Sequence, residues 1–254
     1  DSIYSGGQPH NEASFAALAR MGVKTVVSVD GAKPDLEAAR KHGLRYVHIP
    51  IGYDGIETAA GLSLTRLVRQ ADGPLYIHCH HGRHRGPAAA AVACMAAGKM
   101  DRKEALEYLN RAGTSRDYAG LWRDVENFQP PGDEVELPAL VEVAEVGSFA
   151  AAMAKIDRAY DNLKLCRDSE WATPKNHPDL IPSQEALLLK EAFHESGRQL
   201  ADEFTPEFRA WLGEAEQLAS QIETSLKQRD TAQAAERFQA VVQSCRQCHE
   251  KYRN

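Results

Sequence analysis

Two cysteine-containing segments of this 254-residue sequence have the residue types and the spacing that chemistry requires. The first is HCHHGRHRG at residues 78–86, and the second is CRQCH at residues 245–249. In the first, a thiol is followed by an arginine in a Cys-x5-Arg pattern. In the second, two thiols stand three positions apart and a histidine follows directly. The first pattern predicts an oxyanion site, and the second predicts a point of covalent attachment.

The Cys-x5-Arg segment lies between a predicted buried strand at 75–78 and a predicted helix at 87–97. Backbone N–H groups of a tight loop and the N-terminus of the following helix form a cradle for an anion. The planar guanidinium of Arg85 can bind two oxygens of a phosphate or sulfate. The same positive field favours the thiolate of Cys79, and Gly82 supplies the permissive backbone that such a loop needs. The segment therefore predicts a nucleophilic thiol in an oxyanion site.

The loop is rich in basic side chains, namely His80, His81, Arg83 and His84. These side chains favour a small or highly charged anion over a bulky phosphotyrosine peptide. Clustered histidines could also hold a metal ion. A solvated loop that attracts anions is the preferred interpretation.

The second segment, Cys-x-x-Cys-His, is the signature of covalent c-type haem attachment. Two thiols three residues apart on a helix lie one turn apart, so both can form thioethers with the haem vinyl groups. The adjacent His249 is then held over the iron. A redox dithiol or half of a zinc site is the alternative, but the sequence has no second Cys-x-x-Cys. We therefore predict one covalent haem c, anchored by Cys245 and Cys248.

The first half of the chain alternates strand and helix patterns. Short apolar or β-branched runs at 3–5, 23–29, 44–49 and 75–78 are separated by helical patterns at 11–21, 34–42 and 58–70. Further helices follow the loop and end near Phe128. This alternation predicts an α/β domain over residues 1–128 with a central, mostly parallel sheet.

The pattern changes at the segment QPPGDE, residues 129–134, and residues 129–137 are predicted to be a linker. Beyond it, apolar residues recur at helical spacing in four stripes, for example at Ile156, Tyr160 and Leu163. Four amphipathic helices with short connections after the first one predict an all-α four-helix bundle over residues 138–254. The chain is thus predicted to be multidomain.

Composition excludes several classes of protein. The net charge of −6 argues against general nucleic-acid binding, and it divides into +2 over residues 1–128 and −8 over 129–254. No apolar run reaches the roughly 20 residues of a membrane span. Five cysteines suggest no disulfide framework, and Cys94 and Cys166 are interpreted as inert.

Residues 1–128 resemble the dual-specificity-like branch of the cysteine-dependent phosphatases. The Cys-x5-Arg loop carries the resemblance, together with SGGQP at 5–9 and GVKTVV at 22–27. The resemblance implies that Cys79 forms a phosphocysteine, that Arg85 binds the transferred group and that His78 tunes the thiol. Asp54, in an upstream loop, is the candidate general acid, whereas Asp30 and Asp72 are interpreted as structural.

The sequence departs from that family at Gly86, where the family usually has Ser or Thr. That hydroxyl assists breakdown of the phosphoenzyme, so slow turnover is expected. Gly86 and the loop residues from His80 to His84 are expected to line the substrate site, with His78 behind them.

Residues 138–254 resemble the cytochrome c′ and cytochrome c-556 family, whose last helix ends in a similar Cys-x-x-Cys-His. The resemblance implies that His249 is the proximal iron ligand. It places Met153, on the first helix, where six-coordinate relatives have a distal Met ligand and five-coordinate ones a bulky apolar residue, so that distal ligation and simple core packing are the two alternatives for Met153. His194 is a weaker candidate. A Met ligand would suit electron transfer, and an open sixth position would allow gas binding or sensing.

Together these features predict a periplasmic phosphatase-like domain fused to a monohaem cytochrome, since c-type haem is attached outside the cytoplasm in bacteria. Asp1 is interpreted as the start of a mature or trimmed chain. The expected partners are a small phosphorylated or oxyanion substrate and a redox protein. One alternative is an electron carrier or sensor whose phosphatase-like domain binds anions with little turnover. Another is oxyanion or sulfur redox chemistry at Cys79, coupled to the haem.

Overall fold

The computed structural model describes residues 2–145, 149–199 and 205–252. The chain separates into two compact units, Asp1–Val146 and Gly147–Asn254. The first is an α/β domain and the second is helical, as the sequence patterns predict.

The first unit is built on a sheet of four parallel strands. They are β1 (Ile3–Gly6), β2 (Thr25–Ser28), β3 (Arg45–His48) and β4 (Leu75–His78), in the order β1-β4-β2-β3. The central strands are apolar and buried on both faces because helices cover the sheet, which parallel strands require. The prediction of a mostly parallel sheet is confirmed.

Six helices surround this sheet. They are α1 (Glu12–Arg20), α2 (Leu36–Lys41), α3 (Thr58–Arg69), α4 (Arg85–Ala96), α5 (Arg102–Ala112) and α6 (Ala119–Asn127). Helix α4 follows β4 directly, and its alanine-rich stretch, residues 88–93, is fully buried. Since all four strands run in the same direction, their carboxyl ends meet at one edge of the sheet. Binding sites of parallel sheets form at that edge.

The structure places the boundary between the units later than predicted. Residues 129–145, predicted as a linker and the start of the helical domain, remain with the first unit. Helix α3 holds this segment, because Arg69 donates a hydrogen bond to the carbonyl of Pro131 (2.9 Å) and Arg66 donates to that of Leu137 (2.6 Å). Backbone carbonyls accept these bonds, and for that reason the side-chain pattern of the segment does not show them.

The second unit consists of four helices, α7 (Phe149–Asp168), α8 (Pro182–Gln199), α9 (Pro206–Lys227) and α10 (Thr231–Tyr252). Their apolar stripes form one core that includes Leu163, Leu189 and Phe238. Thr205 and Asp230 cap α9 and α10 by accepting hydrogen bonds from backbone N–H groups in the first turns. Within the described ranges, no helix is long and apolar enough to cross a membrane.

Candidate functional site

The Cys-x5-Arg loop lies at the carboxyl edge of the sheet, between β4 and α4. Cys79 follows the last residue of β4 and is 3% exposed, and Arg85 begins α4 and is 1% exposed. The N-terminus of a twelve-residue helix therefore directly follows the loop. Its unsatisfied N–H groups favour a negative charge there.

Tertiary contacts hold the loop in shape. Gly82 has a left-handed φ of 73°, and a Cβ at this position would lie 2.2 Å from the carbonyl carbon of Gly6. The backbone N–H of Gln8 donates a hydrogen bond to the carbonyl of His80 (3.1 Å). A glycine is thus required at position 82 both by its φ and by the close approach of the segment after β1.

Gly86 leaves space beside the thiol. A Cβ at this position would lie 3.5 Å from Sγ of Cys79 and 3.2 Å from its backbone nitrogen. The hydroxyl that the related phosphatases carry here would therefore be next to the nucleophile. Its absence removes one polar group from the reacting sulfur.

His78 is a buried, neutral histidine behind the loop. Its Nε2 accepts a hydrogen bond from the hydroxyl of Tyr46 (2.6 Å), in the tautomer whose Nδ1–H donates to the carbonyl of Cys79 (3.3 Å). Burial lowers the pKa of His78 to about 4. The recorded contact is with the Cys79 backbone, and a role of His78 in tuning the thiol stays a prediction.

Arg85 is held by two residues that the sequence analysis did not assign to the site, Asp30 and Tyr53. Its Nη2 lies 3.5 Å from Oδ1 of Asp30 and donates to the hydroxyl of Tyr53 (3.1 Å). The guanidinium carbon lies 4.1 Å from the centroid of the Tyr53 ring, a cation–π distance. Its Nη1 donates to the carbonyl of Ile51 (3.3 Å).

The interpretation of Asp30 as a structural residue at a strand end was incomplete. Asp30 is 1% exposed and follows β2, the neighbour of β4 in the sheet, so the two strand ends bring it to Arg85. That neighbourhood is the signal that could have identified it. Asp72, in contrast, precedes β4 and lies at the opposite edge of the sheet.

Asp54 is exposed and belongs to the loop that Arg85 contacts through Ile51 and Tyr53. Helix α6 supports this loop, because Arg123 donates to the carbonyl of Asp54 (3.5 Å). The structure therefore joins the loop of the candidate acid to Arg85. The role of Asp54 as the general acid stays a prediction.

The other loop side chains form the rim of the site. The rings of His80 and His81 lie 4.2 Å apart, and Nδ1 of His80 lies 3.4 Å from Oε1 of Gln8. His81 and Arg83 are exposed. Among the described residues, no group of three or more His, Cys, Asp or Glu side chains could hold a metal ion. The rim thus has two exposed basic side chains, His81 and Arg83, beside the half-buried His80.

His84 belongs to an aromatic wall. Its ring lies 4.5 Å from that of Tyr118, which in turn lies 4.8 Å from that of Tyr53. Nδ1 of His84 accepts a hydrogen bond from the backbone N–H of Ser115 (3.3 Å). This wall connects the Cys79 loop to the Asp54 loop.

The Cys-x-x-Cys-His segment lies near the end of α10. Cys245 and Cys248 are half-buried against the core of the helical unit, and His249 is exposed. Burial, followed by the nearby Cys248 and Asp157, raises the pKa of Cys245 to about 11. Within the part of the chain that the structure describes, the imidazole of His249 makes no hydrogen bond. None of the five cysteines forms a disulfide.

Helix α7 contributes to the same end of the core. Met153 is half-buried and packs against the core cluster that also contacts Cys245 and Cys248. Tyr160 of α7 stacks on Phe238 of α10 at 5.2 Å. Two thiols and an unengaged imidazole on one helical turn, with a thioether sulfur against the same core, fit a covalent haem c. Ligation by Met153 stays a prediction.

The remaining candidates have other partners. Nδ1 of His194 lies 3.1 Å from Oε1 of Glu216, so this histidine belongs to a polar pair between α8 and α9. Cys166 is fully buried, and its burial raises its pKa to about 11. Cys94 is half-buried in α4, and burial raises its pKa as well.

Comparisons with known proteins find relatives for both halves of the chain. Residues 199–253 match the family model described as Cytochrome C'. The dual specificity protein phosphatase TpbA of Pseudomonas aeruginosa, strain UCBPP-PA14, is 31% identical over 173 residues, which cover 67% of this chain and 72% of that protein. A beta-lactamase hydrolase-like protein of Xylella fastidiosa is 30% identical over 135 residues, 49% of this chain and 31% of the relative.

Among solved structures, the crystal structure of P. aeruginosa TpbA matches with a TM-score of 0.44 and 29% identity. The match covers 50% of this chain and 81% of that one. Both resemblances seen in the sequence are thus confirmed. The identity and coverage show that the chain belongs to the family of the dual specificity protein phosphatase TpbA, with C-terminal helices that match the Cytochrome C' family.

Proposed function

We propose that this protein is a periplasmic cysteine-dependent phosphatase fused to a monohaem c-type cytochrome. The carrying observation is the preformed oxyanion site, in which buried Cys79 and buried Arg85 flank a loop that Gly82 locks against the segment after β1. A site that is already shaped before it binds its ligand loses little free energy in reorganisation. This favours catalysis on a phosphate-sized group.

The reaction begins with attack of the Cys79 thiolate on phosphorus, with the guanidinium of Arg85 binding two of the phosphoryl oxygens. An S–P bond forms while the P–O bond to the leaving group breaks. Asp54 protonates the departing oxygen. Water then attacks the phosphocysteine, the S–P bond breaks, inorganic phosphate leaves and Cys79 returns as a thiolate.

The substrate is a small phosphorylated molecule with a high negative charge. His81 and Arg83 are exposed on the rim, and the rings of His84, Tyr118 and Tyr53 form an aromatic wall beside the loop. Positive groups around a cleft raise the local concentration of an anion and its association rate. Association should weaken as ionic strength rises.

In the helical unit, the thiols of Cys245 and Cys248 would hold one haem c through thioether bonds, and His249 and Met153 would be the side chains that bind its iron. The group would supply one-electron transfer. Export to the periplasm follows from the site of c-type haem attachment. The acidic balance of this half, −8 over residues 129–254, suits a basic redox partner.

A second candidate function is supported by Gly86. Since its Cβ position faces Sγ of Cys79 at 3.5 Å, the missing hydroxyl removes help for phosphoenzyme breakdown. In this case the domain binds an oxyanion with little turnover, and the protein acts as an electron carrier or sensor. A stable phosphocysteine, or tight phosphate binding without hydrolysis, would favour this function.

The test compares the holoprotein with Cys79→Ser and Arg85→Ala. We expect Cys79→Ser to lose phosphoester hydrolysis by about 10⁴-fold or more while still binding inorganic phosphate. Arg85→Ala should lose both. Cys94→Ser is the matched control and should retain the wild-type rate. Hydrolysis by Cys79→Ser at the wild-type rate would contradict the proposal, and phosphate binding without any hydrolysis in the wild type would select the second candidate.

The haem assignment is tested separately by spectroscopy. Haem that resists acid–acetone extraction in the wild type and is extractable from a Cys245→Ala, Cys248→Ala double variant would support the covalent attachment. Cys166→Ala serves as the control. Loss of the Met–iron charge-transfer band in Met153→Leu would support the distal ligand, and an unchanged band would exclude it.

A further inference from the structure

The segment that follows the phosphatase-like domain is bonded to the open edge of its sheet. We call residues 137–144 the strap. The backbone N–H of His48, at the end of edge strand β3, donates to the carbonyl of Val141 (2.9 Å). The backbone N–H of Ala144 donates to Nδ1 of the His48 ring (3.2 Å). Arg66 of α3 and an ion pair between Arg40 and Glu142 add further anchors.

The other nitrogen of the His48 ring contacts Asp30, the residue that bonds Arg85. Nε2 lies 2.7 Å from the carbonyl oxygen of Asp30. The ring is 2% exposed, and burial lowers its pKa, so it is neutral. A neutral imidazole has one N–H donor and one acceptor nitrogen.

The strap and the carbonyl of Asp30 require the same proton position on the ring, because a carbonyl oxygen can only accept a hydrogen bond. The backbone N–H of Ala144 can donate but cannot accept, so Nδ1 must be the acceptor. The ring proton therefore lies on Nε2, where it donates to the carbonyl of Asp30. The hydrogen bond of one ring nitrogen sets the role of the other.

Asp30 connects this ring to the oxyanion site. Its Oδ1 lies 3.5 Å from Nη2 of Arg85, and both side chains are buried. The position of the Asp30 backbone therefore limits where the guanidinium is held. The contacts run without a gap from Ala144 through His48 and Asp30 to Arg85.

We propose that His48 is a positioning residue for oxyanion binding, and that the strap, through the hydrogen bond from Ala144 to Nδ1, holds the ring where its Nε2–H bonds Asp30 and, through it, positions Arg85. This inference rests on the proposed function to the extent that Arg85 is the group that binds the oxyanion. The strap also precedes α7 in the chain, so the segment that leads to the helical unit contacts a residue that positions Arg85.

The first test uses Ala144→Pro in the full holoprotein, which removes the N–H that donates to His48. The matched control is Val143→Pro, because the N–H of Val143 donates no hydrogen bond within the described residues. We expect Ala144→Pro to weaken inorganic phosphate binding about tenfold, the scale of one hydrogen bond, and the control to retain the wild-type affinity. In ¹⁵N NMR spectra, the Nδ1 resonance of His48 should shift in Ala144→Pro alone, because Nδ1 loses its hydrogen-bond donor while Nε2 stays protonated against the carbonyl of Asp30.

The second test distinguishes the roles of the two ring nitrogens of His48, Nδ1 and Nε2. The side-chain amide of His48→Gln can donate where Nε2 did, without any need for a fixed tautomer, whereas His48→Asn lacks a donor there. We expect His48→Gln to keep the phosphate affinity within about twofold and His48→Asn to lose about tenfold. Ala144→Pro should add nothing in the His48→Gln background, which is a non-additive pair.

The outcomes distinguish this inference from the proposed function, because phosphate titration does not require turnover. A wild type that binds phosphate but hydrolyses nothing removes the phosphatase proposal and leaves this test valid. Equal losses in Ala144→Pro and Val143→Pro, or an unchanged Nδ1 resonance of His48 in Ala144→Pro, would overturn the role of the strap. A wild type that binds neither phosphate nor vanadate would overturn it as well.

Discussion

The two cysteine segments of this chain reach their chemistry by different routes. In the first, Cys79 and Arg85 are brought together by strand ends, a left-handed glycine and buried partners from other elements. In the second, the two thiols and His249 share one turn of α10 and need only that helix to align. A substrate that must bind before it reacts needs a site whose donors are already in place, whereas a covalently attached cofactor is held by the bonds that attach it. The first segment should therefore tolerate much less change.

The sharpest test of this difference substitutes an inner residue of each segment. Gly82→Ala should lower phosphoester turnover by at least about 10²-fold, because a Cβ there meets the backbone of Gly6 and φ is left-handed. Gln247→Ala, at an exposed position of the second segment, should leave the haem content unchanged. Turnover rates and haem-to-protein ratios of the two variants measure both effects. A fully active Gly82→Ala protein would remove the contrast.

Replacing the arginine by lysine examines the same contrast at one side chain. Arg85→Lys keeps the charge but loses the planar fork that contacts Ile51, Tyr53 and Asp30. We expect kcat/KM for a phosphoester to fall about 10²-fold to 10³-fold, in the range for loss of one preorganised donor. Arg83→Lys, on the exposed rim, is the control and should change the rate little. A rate in Arg85→Lys as little changed as in Arg83→Lys would mean that Arg85 acts as a charge alone.

The buried histidine behind the loop gives the first unit a pH dependence of stability. His78 titrates near its ordinary value of 6.5 when the chain is unfolded and at about 4 when it is folded, because burial disfavours the charged ring. The unfolded chain therefore takes up the proton first, so stability falls as the pH drops from 6.5 to 4. The difference amounts to about 3 kcal/mol. The buried His48, whose pKa is also lowered, acts in the same direction.

Urea unfolding of the first unit at several pH values measures this effect. In His78→Phe the dependence between pH 6.5 and 4 should become shallower, even though the variant is less stable at all pH values. His10→Ala, at an exposed position, should keep the wild-type slope. An unchanged slope in His78→Phe would assign the pH dependence to other groups.

The smallest expected effect is an increase in the rate of phosphocysteine breakdown. Gly86→Ser places a hydroxyl beside Sγ of Cys79. The new Cβ requires the backbone nitrogen of Cys79 to shift by a few tenths of an ångström. We expect breakdown of the phosphocysteine to accelerate about fivefold, the value of one hydrogen bond near 1 kcal/mol. Gly86→Ala adds the same Cβ without the hydroxyl and should not accelerate it. Burst and steady-state rates separate this step from the first one.

Much of the architecture was predictable because local patterns carry it. Alternating strand and helix patterns predicted the parallel α/β domain, and apolar residues at helical spacing predicted the four later helices. The prolines and acids of the segment after Phe128 suggested a linker at 129–137, whereas the boundary between the two compact units lies after Val146. The backbone carbonyls of this segment accept hydrogen bonds from Arg66 and Arg69 of α3. Such acceptors are present in every sequence and leave no pattern.

In the candidate site, the sequence alone identified Cys79, Arg85 and the Cys-x-x-Cys-His segment, because each lies within a few residues of its chemical partners. Only the tertiary structure showed that Asp30, Tyr53 and His48 contact Arg85 or each other. Asp30 and His48 meet because the carboxyl ends of parallel strands lie at one edge of the sheet, and Tyr53 reaches Arg85 from the loop after β3. Spacing along the chain encodes chemistry that one loop or one helical turn completes. Buried pairs between distant strands depend on packing, which no short pattern records.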